Sequence, residues 1–173
     1  MKKKNLLYVS ALCACMSFSF MGCSDDDDKQ EIPSLPEQIS LNGVYVLNSG
    51  KQESNNSSLS FYDFETKKVE ADIFKKVNGR GLGDTANDIL VYGSKAYIAV
   101  TNSNTIEVID LQGKSLKQIV SDGDPLQPRF FSCYNGKVYV SLYGGYVARL
   151  DTTSLTIESK VKVGRNPEQM GPI

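Results

Sequence analysis

No histidine occurs in the 173 residues, and that absence removes histidine-based triads, His-ligated zinc and His-ligated haem from the chemistry open to this polypeptide. General acid–base work would fall to carboxylates, Lys or Tyr. Cysteine is nearly as scarce. Of the 4 cysteines, Cys13 and Cys15 lie in an apolar leader and Cys23 closes it, so the body keeps only Cys133 and no disulfide framework is possible. Cys133 sits in the apolar run Phe130-Phe131-Ser132-Cys133-Tyr134 with nothing basic beside it, which predicts a buried, inert thiol rather than a nucleophile. An excess of positive charge is missing too. From Ser40 onward 15 basic residues face 14 acidic ones, which leaves no basic stripe to hold phosphates and speaks against nucleic acid as a partner. Nothing implies a cofactor or a metal. Gly79-Arg80-Gly81-Leu82-Gly83 has close glycines but opens no helix after a strand, as a phosphate cradle would. Asp25 to Asp28 lacks the interleaved spacing and the glycine of a calcium loop.

What is present begins with the leader. Met1 to Gly22 combines Lys2-Lys3-Lys4 with an apolar stretch from Leu6 to Met21, shorter than the ~20 residues a spanning helix needs, and reads as a secretion signal. Phe20-Met21-Gly22-Cys23 resembles the lipobox of bacterial lipoproteins, and that resemblance implies lipidation at Cys23 and anchoring in the outer membrane. Phe20 stands where Leu is usual and Met21 where a small residue is usual. An ordinary secreted protein cut elsewhere is the alternative. The aspartate run that follows repels itself into an extended, hydrated tether. As Cys23-Ser24-Asp25-Asp26-Asp27-Asp28 it is also similar to the surface-export signal of Bacteroidetes-type lipoproteins, which implies a position facing the cell exterior. With Pro33 and Pro36, residues 23–42 form a linker, and residues 43–173 form the folded body.

The body is a repeat. Ala96 to Thr101, Thr105 to Leu111 and Ser115 to Val120 are short, rich in β-branched residues and closed by tight-turn chemistry, so they read as strands of an antiparallel meander. Tyr97-Ile98-Ala99 recurs about 42 positions later as Tyr139-Val140-Ser141, and Asp124-Pro125-Leu126-Gln127 recurs as Asn166-Pro167-Glu168-Gln169. A looser copy lies upstream at Val44 to Leu47 and Leu59 to Asp63. This period, with four strand signals per copy, predicts an all-β fold, a β-propeller of four-stranded antiparallel blades. Innermost strands are expected at Val44–Leu47, Ala96–Val100 and Val138–Leu142, the most apolar runs. Third strands are expected at Lys68–Phe74, Ser115–Val120 and Thr156–Val163, and outer strands at Ala86–Tyr92 and Arg129–Tyr134. A shift by one strand, with Ala86–Tyr92 innermost, is left open. The count is about two and three-quarter blades, and Pro172-Ile173 falls inside an expected strand. The expectation is therefore an incomplete, N-terminal portion, about three blades, of a longer propeller.

Alternating strand direction sends the loops to two rims. One rim has minimal turns at Gly93-Ser94, Gln112-Gly113 and Asn135-Gly136. The other carries Asn48 to Ser58, Lys76 to Asp84, Ser121 to Pro128 and Gly164 to Glu168, where a rigid sheet can position binding groups. Its candidate ligand-binding residues are Arg80, Asp84, Asp124, Gln127, Arg129, Arg165, Asn166, Glu168 and Gln169, with Tyr143 as an aromatic platform. Turn formation is the competing role, above all for Asp124, Gly164 and Asn166. No carboxylate pair is identifiable as catalytic.

Tyr97-Ile98-Ala99-Val100-Thr101-Asn102 through Thr105-Ile106-Glu107-Val108-Ile109-Asp110 resembles the YVTN repeat of YncE-like, surface-layer-type seven-bladed β-propellers. Val161-Lys162-Val163-Gly164-Arg165-Asn166-Pro167-Glu168 resembles the close of that repeat. Gly81 to Asp88 is similar to the opening blades of propeller lipoproteins of gut Bacteroidetes, some of which capture cobalamin beside a TonB-dependent transporter. The resemblance implies a surface lipoprotein that binds a cobalamin-like small molecule or a glycan for an outer-membrane importer. A propeller enzyme of lyase or quinone-dependent dehydrogenase type, and an adhesin or scaffold, are the alternatives.

Overall fold

A computed structural model describes residues 42–121 and 123–172; the leader, Cys23 and the aspartate run lie outside them. The described residues form eleven strands and one helix. β1 (Gly43–Asn48), β2 (Ser58–Asp63) and β3 (Val69–Glu70) make the first sheet. After α1 (Ile73–Asn78) come β4 (Ala86–Tyr92), β5 (Lys95–Val100), β6 (Thr105–Asp110) and β7 (Ser115–Ile119), paired in that order. β8 (Pro128–Tyr134), β9 (Lys137–Leu142), β10 (Tyr146–Asp151) and β11 (Thr156–Lys162) repeat the arrangement. Every pairing is antiparallel. These are three β-propeller blades, as the repeat predicts. No described helix is long and apolar enough to cross a membrane.

The blade boundaries follow the shifted assignment, not the one that places the most apolar strands innermost. β4 and β8 open their blades and lie against each other, while β5 sits one place further out with Ala96 to Val100 all buried. The reason is geometric: the second strand of a blade has a strand on each edge and a neighbouring sheet on each face, whereas the first faces the axis on one edge. β5 accordingly divides its side chains between two cores. Ala96, Ile98 and Val100 join Leu59, Phe61, Phe74, Leu82 and Ile109 in the core between the first and second sheets. Tyr97 and Ala99 join Val108, Leu126, Phe131, Val140 and Leu150 in the core between the second and third. Each fully buried aliphatic or aromatic side chain contributes roughly 1.5–3 kcal/mol, so the two cores hold the blades face to face.

A second correction concerns Lys68 to Phe74, expected as one strand. Only Val69–Glu70 pairs with β2, and Ile73 begins a helix. Asp72, itself left-handed at φ 46°, accepts the Lys75 amide, and Gly79 closes the helix at φ 68° with its amide on the Lys75 carbonyl. Ile73 and Phe74 are thereby turned into the first core. Cys133 is half-buried rather than buried, because it stands one residue from the end of β8, paired with Val138.

The repeat is visible in the bonds. The Thr101 amide donates to the Thr85 carbonyl at 2.9 Å, and the Tyr143 amide donates to the Gln127 carbonyl at 3.1 Å, the same link one blade on. Thr85 and Gln127 both adopt positive φ, 57° and 43°. β4 and β8 carry matching register shifts at Ala86/Asp88 and Pro128/Phe131. Side chains then stitch the second blade to the third. Asn87 Nδ2 donates to the Arg129 carbonyl at 2.8 Å, the Phe131 amide donates to Asp88 Oδ2 at 2.7 Å, and Thr101 Oγ1 donates to the Pro128 carbonyl at 2.7 Å.

Candidate functional site

The long loops meet on one rim, where the Ser57 amide donates to the Gly83 carbonyl, and short turns tie them down there: the Asp84 amide donates to Ser103 Oγ, the Gln127 amide to Asn104 Oδ1 and the Val163 amide to the Gly145 carbonyl. The Lys76 to Asp84 stretch, expected wholly on this rim, begins on the other: Asn78 Nδ2 donates to the Gly113 carbonyl and Asn78 Oδ1 accepts the Ser115 amide, both at 2.8 Å. Gly83 must be glycine here: its φ is 132°, and a Cβ would lie 2.8 Å from Val100 Cγ1. Exposed loops are ordinarily independent of each other; these are held at defined positions.

Three expected site residues come together on this rim. Arg129, in the bulged start of β8, lays its guanidinium 4.5 Å from the centroid of the Tyr143 ring and 5.6 Å from that of Phe130. Glu168 receives Arg129 Nε and Nη2 at 3.2–3.3 Å, and the Tyr143 hydroxyl donates to Glu168 Oε1 at 2.7 Å. Charge-assisted, forked and stacked contacts of this kind fix a guanidinium in direction as well as place. The hydrogen bond to Glu168 raises the Tyr143 hydroxyl pKa above its ordinary value, with desolvation adding to the rise and Arg129 opposing it. Tyr143 therefore stays protonated, as a donor.

A cleft of about 410 Å³ lies apart from these three residues, none of which is in its wall. Asp124, Pro125, Leu126, Gln127, Leu142, Gly144, Tyr146 and Lys160 line it. Its volume lies within the range of small-molecule sites, and its wall mixes apolar surface with an acid, an amide and an amine. Asp124 and Gln127 both line this cleft, and Gln127 also serves the backbone through its positive φ and two loop bonds. Arg165, Asn166 and Gln169 are exposed, with Asn166 in a left-handed turn at φ 50°. They lie on the stretch after β11 that carries no helix or strand. Asp84 accepts from Thr85 Oγ1 at 2.8 Å, a local turn contact.

Arg80 does not belong to this group. Its Nη2 donates to Glu107 Oε1 at 2.8 Å and to Ser115 Oγ at 3.1 Å, and its guanidinium lies 4.8 Å from the Phe74 ring centroid. Glu107, in the middle of β6, is fully buried, and it also accepts from Ser115 Oγ and from Gln118 Nε2. A buried carboxylate requires a cation and hydrogen-bond donors, and Arg80 reaches in from the loop after α1 to provide the charge. Its task is to tie that loop to the second blade. Glu107 has no counterpart among the residues expected to matter from the sequence.

The opposite rim is built from tight turns and one charged cluster. Asp151 accepts from the Ser154 and Thr153 amides, from Ser154 Oγ and from Lys137 Nζ. The Ser154 amide and the Lys137 ammonium, with the other donors, hold its carboxyl well below the usual carboxylate range. Lys137 also bonds Glu158, which pairs with Arg149 in turn. Among the described residues no three of His, Cys, Asp and Glu are grouped to hold a metal ion.

A family model matches residues 42–171, the whole described body apart from its last residue. The chain belongs to the family described as "Domain of unknown function (DUF5074)". A comparison with curated proteins yields no match. Among solved structures, the chain is similar to hydrazine synthase of Kuenenia stuttgartiensis, a β-propeller-type protein, at 20% identity and a TM-score of 0.52, over 64% of this chain and 31% of that one. It is similar to the computationally designed Ika8 protein at 13% identity and a TM-score of 0.52, over 75% of this chain and 36% of that one. It is also similar to a chain of the mitotic checkpoint complex at 9% identity and a TM-score of 0.51, over 72% and 35%. The family member thus spans about a third of the length of each of these chains, and at such identities the likeness carries the fold alone.

Proposed function

We propose that this family member is a non-enzymatic, lipid-anchored surface protein whose loop-rich rim binds a small molecule of cobalamin-like type or a glycan. The ligand then passes to an outer-membrane importer of the TonB-dependent kind. One observation carries the binding role: a cleft of about 410 Å³ whose wall combines Asp124, Gln127 and Lys160 with apolar side chains is built from the loops of one rim and the strands beneath them. Rigid loops around a polar and apolar recess favour recognition, because little ordering entropy remains to oppose binding. The location rests on the sequence: Cys23 as lipid site, the aspartate run as tether and export signal. Absence of histidine from the sequence favours binding over turnover.

Titration calorimetry of the chain against cobalamins and host-type glycans tests this reading. Saturable binding without chemical change of the ligand supports it. Turnover of any ligand would move the protein to the enzyme class, and silence towards all of them, with capture of a protein partner, to the adhesin class.

A further inference from the structure

The two boundaries between blades are closed differently. Strand register places Tyr146, Ala148 and Lys160 of the third blade where the second has Thr105, Glu107 and Gln118. At the first boundary the buried Glu107 carboxylate draws Arg80, Ser115 and Gln118 together over the strands. At the second, Ala148 replaces Glu107 and that network is gone. Lys160 stands where Gln118 was, and among the described residues neither its side chain nor that of Asp124 has a hydrogen-bond or ion-pair partner. The cleft lies at this second boundary: Leu126 and Leu142 belong to the core between the second and third blades, Tyr146 packs on it, and Ala148, directly across from Lys160, is inside it. It is open although the blades on both sides of it are in place.

A glycine helps to keep it open. Gly145 is required by the turn, with φ 92° and a Cβ that would stand 2.7 Å from the Gly164 carbonyl oxygen. Gly144 is under no such demand: it is outside the left-handed region, and a Cβ there would meet only Tyr146 Cδ2, at 3.9 Å, an ordinary contact. A side chain at this place would lie beside the Tyr146 ring; its absence leaves the ring reachable from the cleft that both residues line.

The wall sets one carboxylate, one amide and one ammonium around the apolar surface of Pro125, Leu126, Leu142 and Tyr146. Its charges cancel, so an anionic or cationic ligand meets a like charge as well as an opposite one. A sugar ring matches both surfaces, because each hydroxyl donates to an acid and accepts from an amine, while its C–H faces lie on an aromatic or proline ring. The volume of about 410 Å³ falls in the lower part of the range for small-molecule sites, enough for one or two sugar rings and too little for a corrinoid. We propose that this cleft binds a neutral sugar of one or two pyranose rings, laid against Tyr146 and held through its hydroxyls by Asp124, Gln127 and Lys160. The inference rests on the rim cleft being the binding site and selects the glycan from the two ligand chemistries proposed for it.

The test titrates the chain calorimetrically with maltose, lactose and cellobiose, with leucine, and with a cobalamin. The unaltered protein is compared with Gly144→Leu, Asp124→Ala and Lys160→Met, and with Lys114→Ala on the opposite rim as control, melting temperatures serving to check folding. The proposal expects saturable binding of at least one disaccharide, weakened about tenfold by Asp124→Ala and by Lys160→Met, and at least as much by Gly144→Leu, which fills the cleft. Lys114→Ala should bind as the unaltered protein does. Asp124 and Lys160 are exposed, so their variants should melt normally and decide the matter even if Gly144→Leu folds poorly. Binding of no disaccharide overturns the proposal, as does sugar binding that these two variants leave unchanged, or tighter binding of leucine, a zwitterion whose two charges match those of the wall. Cobalamin binding without sugar binding overturns this inference and leaves the rim reading standing; silence towards sugars and cobalamin alike overturns both.

Discussion

Glu107 offers the sharpest test of how the blades are joined. Its carboxylate is fully buried, and the Arg80 side chain that neutralises it is 42% exposed. Replacing Arg80 by Met keeps an unbranched stem to lie over Phe74 but leaves the carboxylate with only Ser115 Oγ and Gln118 Nε2 as donors. Removing one partner of a fully buried pair costs roughly 3–5 kcal/mol. Arg80 is reached by water and an exposed pair is worth at most about 1 kcal/mol, so an intermediate loss of about 2 kcal/mol is expected. Glu107→Gln removes the buried charge while retaining an oxygen for Arg80 and Ser115, and should cost about 0.5–1 kcal/mol. In the double variant no buried charge is left without a cation, so the two losses should overlap by about 1 kcal/mol rather than add. Urea unfolding of the four proteins at neutral pH measures this, through shifts in midpoint at constant slope. The reasoning is refuted if Arg80→Met lies within about 0.5 kcal/mol of the unaltered protein, or if Glu107→Gln is the more damaging change.

Two further outcomes follow from the same contacts. Thr101→Val keeps the shape of the side chain but removes the hydroxyl accepted by the Pro128 carbonyl; urea unfolding should show a loss of about 1 kcal/mol, and no loss would mean that this bond does not hold the two blades together. Asp151 has a folded pKa below its unfolded value, with the Ser154 amide as the leading cause. Its contribution is therefore complete above the unfolded carboxylate value, about 3.9, and is lost as pH falls below it. The stability difference between the unaltered protein and Asp151→Asn should be constant from neutral pH to about 5 and shrink towards pH 3; a difference that stays flat over that range contradicts the assignment.

The meander was legible in the sequence because β-branched runs and turn residues alternate at blade spacing, and because Tyr97 and Tyr139 mark the same place in successive copies. Those tyrosines do occupy matching strand positions, Tyr97 opposite Leu90 and Val108, Tyr139 opposite Ser132 and Arg149. Which strand stands innermost was not legible. Hydrophobicity reports how many faces are covered, and in a propeller the second strand is covered more completely than the first. α1 was hidden by its brevity; its Asp72 cap and Gly79 stop were present, but Val69 to Phe74 satisfies a strand pattern equally well. Glu107 was missed for a related reason. In Thr105-Ile106-Glu107-Val108 it looks like the polar half of an alternating strand, whereas both faces of β6 are buried, and a charge there demands a partner such as Arg80. Arg129, Tyr143 and Glu168 could be picked out because they sit on loops of one rim, though only the three-dimensional arrangement shows one carboxylate held by both of the others.

The rim itself is the claim on which the functional account turns, and amide chemical-shift mapping of the isotope-labelled chain tests it most directly. Saturation with a bound cobalamin or glycan should move the amides of Gln127, Tyr143 and Gly145 and leave those of Gly93, Gly113 and Asn135 in place. Shifts confined to the tight-turn rim, or spread evenly over both, would contradict it.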